Sequence, residues 1–203
     1  MKMMAKIRRA DWRAEFFLLG HSWERWVIHY VYTYIHRIEA ILMGVELGRN
    51  VSFNGHITIS RFKHSKIVIG DNCIFNSHHA FNSRGCRKCI LHTGTDFACI
   101  EIGRNSGFSG VTIVANHGVY IGRDVMIGAD SQIGDTDDHP ERLGTKDAPI
   151  RIGNNVFIGM HCMIMKGVVI GDNAIIGAGS VVTKDIPENC IAAGVPCRVI
   201  RQR

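Results

Sequence analysis

No stretch of about eighteen uncharged apolar residues occurs in the chain, so nothing in it reads as a membrane span. The seven cysteines are odd in number and scattered, which argues against a disulfide scaffold and for a reducing, cytoplasmic setting. Cys86 and Cys89 form one CxxC with His78, His79 and His92 nearby, but no second ligand pair stands at zinc spacing. That stretch reads as an irregular excursion, and no metal is expected. No basic run with interleaved aromatics lines a single element, so nucleic acid is not an expected partner. A formal net charge of +6 suits a polyanionic small ligand or an anionic membrane surface.

What the chain does have is a period of six. Ile152, Ile158, Ile164, Ile170, Ile176 and Val182 share one phase without a slip. Gly153, Gly159, Gly171 and Gly177 follow four of them. Val156, Cys162, Val168, Ala174 and Ser180 come four positions after an aliphatic residue. Neither a helix nor a simple alternating strand gives this spacing. It marks a hexapeptide β-helix, in which each repeat forms one flat side of a coil and coils stack to bury the aliphatic row. Cys73 and Cys162 fall at the small-residue phase, as packing residues. Asn154-Asn155 and Asp172-Asn173 sit at turns. The same phase appears earlier at Leu47, Phe53 and Ile59, at Ile69 and Phe75, at Ile102 and Phe108, and at Ile121, Ile127 and Ile133. It loosens over 78–99.

Residues 23–43 read as a helix, with Val27, Val31, Tyr34, Ile38 and Ile41 at spacings of three and four. With residues 1–46 it is expected to cap the open end of the solenoid or to touch a neighbouring subunit. Its basic start (Lys2, Lys6, Arg8, Arg9, Arg13) and its Trp and Tyr residues also suit peripheral contact with a membrane. Phe16–Leu19 is too short for a cleaved signal peptide. The solenoid is expected over 47–183. Between Ile133 and Ile152 the repeat is broken by a charged segment, 135–151, which no solenoid needs for packing and which reads as a functional loop. Residues 184–203 form a basic tail.

The repeats, the DDHP loop and the run GAGSVVTKDIPENCIAAGVPCRVIR resemble the left-handed β-helix acyltransferases. The likeness is to sugar and polysaccharide O-acetyltransferases, the group with galactoside and maltose acetyltransferases. It runs from about Val111 to Arg201. The resemblance implies an all-β solenoid, a left-handed parallel β-helix with an N-terminal helical segment and an extruded loop. It implies a homotrimer that transfers acetyl from acetyl-CoA to a sugar hydroxyl. His139 takes the place of the catalytic general base, a role that suits a group titrating near neutral pH. Asp137 or Asp138 would hold the imidazole tautomer. Positions matching the CoA contacts are Met160, Ala178, Thr183, Lys184, Arg198 and Arg201, the cations facing phosphates. The acceptor contacts would fall at Ser109 and Asn116. His117 and His161 lie in or beside regular coils, where they could face a neighbour's site.

The chain also departs from that group. Phe157 stands where Trp is common, and the group's N-terminal helical domain is not recognisable in residues 1–46. The DTDDHP loop and the basic amphipathic start look more like enzymes that acetylate surface-polysaccharide or lipid-linked sugars. Two alternatives stay open: an O-acetyltransferase for serine or another small molecule, and a non-catalytic β-helix scaffold. A zinc hydratase on the same fold needs two histidines five apart, and no pair among the eleven has that spacing.

Overall fold

The computed structural model describes residues 11–85, 87–137 and 146–202, the start of the first helix by its backbone alone. Helix α1 (Asp11–Leu42) opens the chain and begins well before the periodic stretch at Trp23. It ends at Gly44, whose φ of +73° is left-handed and carries no Cβ penalty in glycine. There the Val45 N–H donates back to the Ala40 carbonyl at 2.9 Å.

The chain then winds three short strands per coil. The first coil holds β1 (Glu46–Leu47), β2 (Ser52–Asn54) and β3 (Thr58–Ser60). The second holds β4 (Lys66–Ile69), β5 (Ile74–Asn76) and β6 (Ile90–Thr93). Next come β7 (Cys99–Ile102), β8 (Gly107–Ser109) and β9 (Thr112–Ala115), then β10 (Gly118–Ile121), β11 (Met126–Ile127) and β12 (Gln132–Gly134). The last two coils are β13 (Ile150–Ile152), β14 (Phe157–Ile158) and β15 (Met163–Ile164), then β16 (Val169–Ile170), β17 (Ile175–Ile176) and β18 (Val181–Val182). Every strand pairs in parallel with its equivalent one coil away, which gives three sheets. The architecture is a left-handed parallel β-helix. In the final coils Ile152 lies beside Ile170, Ile158 beside Ile176 and Ile164 beside Val182, so one coil takes eighteen residues. After β18, β19 (Cys190–Ala193) joins β17 in parallel, and β20 (Arg198–Gln202) folds back on β19 antiparallel.

The phase-six aliphatics fill the prism, and Ile158, Ile176 and Val182 are fully buried. In the first three coils one row is aromatic. Phe53, Phe75 and Phe108 stack with centroids 5.4 and 4.9 Å apart and rings within 21° of parallel. Close stacking leaves no room at the corner glycines. A Cβ on Gly159 would stand 2.5 Å from the Ala178 nitrogen. The turns use Asn in the left-handed region, which it tolerates better than most residues. Asn155 and Asn173, with φ of 53° and 59°, pass a 2.8 Å amide bond up the stack to Asn189 in turn. Cys73 and Cys162 are buried at the small-residue phase, and burial pushes both thiols up.

Helix α1 covers the open edge of the first coil. Thr33 Oγ accepts the Phe53 N–H at 2.9 Å, Arg37 donates to the Val51 carbonyl at 3.3 Å, and the buried His36 accepts the Ile57 N–H at 3.4 Å. Side chains of the helix thus replace the missing next strand, whose absence would leave an exposed edge.

Candidate active site

The repeat is interrupted twice, and each interruption is tied off at its neck. The first leaves β5 at Ser77 and returns at Cys89, whose N–H donates to the Ser77 hydroxyl at 2.9 Å. It is narrower than the loosened phase over 78–99 suggests, because Leu91 on β6 is already back in the core. Cys89 is buried there, and burial pushes its thiol up. Cys86 lies outside the described residues. His78 and His79 instead lie beside Glu24 of α1, with ligand atoms within 4.8 Å of one another. Burial and the neighbouring His79 lower the His78 pKa.

The second interruption leaves β12 at Asp135. This carboxylate is fully buried and accepts three consecutive N–H groups, from Asn116, His117 and Gly118, at 2.7, 2.8 and 2.5 Å. Its own carbonyl accepts the Ala148 N–H at 3.1 Å, which joins the exit and return of the loop. One residue therefore closes the neck and shapes the preceding turn. Beyond it, Asp137 pairs with Lys166 of the next coil, both partners largely out of water. On the returning side the Asn116 amide donates to Asp147 at 3.2 Å. Asp138 and His139 lie outside the described residues, as do 140–145.

Two grooves flank these features. One, of about 370 Å³, lies on the outer face of β9, β12 and β15 and is lined by Thr112, Gln132, Thr136, Asp137 and Met163. The other, of about 430 Å³, runs beside the first excursion. Asn82, Arg84, Ser109, Met160 and Ala178 are among its lining residues, together with Gly128, Gly159 and Gly177. These glycines serve the stacking of the coils: a Cβ on Gly128 would stand 2.6 Å from the Met160 nitrogen. Of the positions expected to bind CoA, Met160 and Ala178 come together here, and with them Ser109 from the acceptor set. Thr183, Lys184, Arg198 and Arg201 are exposed on the last turn and the closing hairpin. Asn116 is committed to Asp147. His117 and His161 are exposed, and His161 lines a small recess with Arg87 and Asp130.

Sequence reasoning passed over Asp135 as one acid among many, and over Lys166 altogether. Lys166 was findable: it is the lone Lys, Arg, Asp or Glu between Ile152 and Gly171.

Known proteins share this design. Residues 149–184 match the family described as bacterial transferase hexapeptide (six repeats). The galactoside O-acetyltransferase of Escherichia coli (strain K12) is 52% identical over 111 residues, 51% of this chain and 54% of that protein. The chain thus spans about half the length of that curated relative. Among solved structures, a galactoside acetyltransferase in complex with coenzyme A is 30% identical, covers 91% of this chain and 82% of its own, and has a TM-score of 0.50. The polySia-specific acetyltransferase NeuO is 29% identical, covers 78% of this chain and 75% of its own, and has a TM-score of 0.53. By its repeats, its coil geometry and these likenesses, the chain belongs to the hexapeptide-repeat, left-handed β-helix acyltransferase family.

Proposed function

We propose that the protein is an acetyl-CoA-dependent O-acetyltransferase acting on a hydroxyl of a sugar or polysaccharide precursor. The observation that carries this reading is the groove that unites Met160 and Ala178 with Ser109. Its shape suits a pantetheine arm lying along the coils, with the diphosphate toward Lys184, Arg198 and Arg201. In this reading residues 1–46 are a cap, 47–183 the β-helix with its loop over 135–151, and 184–203 the basic tail. A homotrimer in the cytoplasm completes the arrangement. Sheet residues that face outward and apolar, such as Met126, Phe157 and Met163, are about half exposed in one chain and suit a subunit contact.

The chemistry is a single displacement. Neutral His139 takes the proton of the acceptor hydroxyl as its oxygen attacks the thioester carbonyl. The tetrahedral intermediate collapses, the C–S bond breaks, and the CoA sulfur leaves with the proton returned by the imidazolium. Backbone N–H groups hold the oxyanion. Asp137, already fixed by Lys166, and Asp138 supply the carboxylate that orients the imidazole. Asp135 sets the loop neck from which they project. The charged DTDDHP loop and the likeness to a polySia-specific acetyltransferase support a polymeric acceptor, and the galactoside O-acetyltransferase relatives support a sugar acceptor in general.

The test is thiol release from acetyl-CoA across sugars, nucleotide-sugars, oligosaccharides and serine, for wild type and His139→Ala. Such a base contributes about 10²–10⁴ in rate, so acceptor-dependent release should fall by that factor in the variant. Release with serine alone would move the acceptor to the small-molecule alternative. Equal release in both proteins would remove His139 as the base. Wild type that binds no CoA would leave a scaffold.

A further inference from the structure

One face of α1 is occupied and the opposite face is bare. His29, Thr33, His36 and Ala40 face the first coil. Trp23, Trp26, Tyr30, Tyr34, Ile38 and Ile41 recur at three and four on the other side, a single stripe. Trp23 and Tyr34 keep 66% and 70% of their surface exposed, and Leu42 at the end of the helix keeps 82%. Stacking among Trp23, Trp26 and Tyr30 makes the stripe continuous at one end. The stripe extends about 27 Å at the helical rise. A contiguous apolar face of this length on a soluble chain marks an interaction surface.

We infer that this face of α1 lies on the surface of an anionic phospholipid bilayer. Three features choose that occupant. First, the stripe is rich in Trp and Tyr, whose N–H and O–H groups find partners at headgroup level while the rings sink among acyl chains. Packed dry against a second helix, the same groups would need partners of their own. Second, charge is complementary. From Met1 to Leu42 the chain carries seven Lys and Arg residues against four Asp and Glu, a net charge of +3, with Lys2, Lys6, Arg8 and Arg9 ahead of any acidic residue. Each basic residue near an anionic surface adds to the attraction. Third, no helix among the described residues is long and apolar enough to cross a membrane, so the helix lies on the bilayer rather than through it. The β-helix beneath stays in water, with its first coil nearest the lipid. The inference does not rest on the acyltransferase reading.

The chain supplies its own probe. All three tryptophans, Trp12, Trp23 and Trp26, belong to α1. Titrating the full chain with mixed phosphatidylcholine–phosphatidylglycerol vesicles should shift tryptophan emission to the blue and carry the protein into the vesicle pellet. Phosphatidylcholine alone should bind at least about tenfold more weakly, and high salt should weaken binding. The variant Trp23→Ser/Trp26→Ser/Tyr30→Ser keeps Trp12 as reporter and leaves the face packed on the coil intact. It should lose partitioning by about tenfold or more at unchanged melting temperature. Wild type that neither shifts nor sediments with anionic vesicles overturns the inference. So does the variant dropping to a smaller oligomer by light scattering while wild type ignores lipid, because the face is then a subunit contact.

Discussion

The last two coils and the two interruptions of the solenoid follow opposite rules. From Ile152 to Val182 the two coils share one register, with an aliphatic residue buried at every sixth position and an Asn in the left-handed region at one corner of each coil. The interruptions, after Ser77 and after Asp135, repeat nothing. Yet both leave the coil through a residue whose polar atoms bond the point of return: Ser77 to Cys89, and Asp135 to Ala148. The coil closes under the excursion, and the stack above and below goes on undisturbed. Stability therefore resides in the regular coils, and sequence has freedom in the loops.

That contrast can be broken in order of expected effect. Phe75→Ala removes the middle ring of the buried aromatic stack and should cost about 3–5 kcal/mol by denaturant titration. Whatever folds should keep its activity per folded molecule. Asp135→Asn places an amide N–H₂ against a triad of N–H donors. It should cost about 1–3 kcal/mol and lower acetyl transfer further than the stability loss explains. If activity tracks stability alone, Asp135 is only a packing residue. Lys166→Met removes a partner of Asp137 from a pair largely out of water, so it should lower the melting temperature, and it should lower kcat per folded molecule by about tenfold with little change in KM for acetyl-CoA. A KM effect alone would move Lys166 to the donor site. The smallest effect is the least visible. Cys73, Cys162, Cys190 and Cys197 are buried with thiols pushed up, so mass mapping after brief alkylation should find them unmodified in native protein.

The regular region was legible in the sequence because stacking imposes its period on every residue. Ile152 to Val182 could be assigned position by position. The helix was read from Trp23, whereas it runs from Asp11. Gly20, a poor helix former, separates the Phe16–Leu19 run from the periodic stretch and hides their continuity. The loop region was legible as a disturbance only. A buried carboxylate such as Asp135 and a solvated one are spelled alike, and only the fold shows three N–H groups converging on it. Ser77 escaped notice for the same reason. Met160, Ala178 and Ser109 are spread over three coils and meet only because the coils stack.

The most direct test of a donor groove on the regular coils is calorimetric titration with coenzyme A. Wild type and His139→Ala should bind equally, while Ala178→Trp, which fills the groove, should bind at least about tenfold more weakly at unchanged melting temperature. Undiminished binding by Ala178→Trp, or no binding by wild type, would contradict the account.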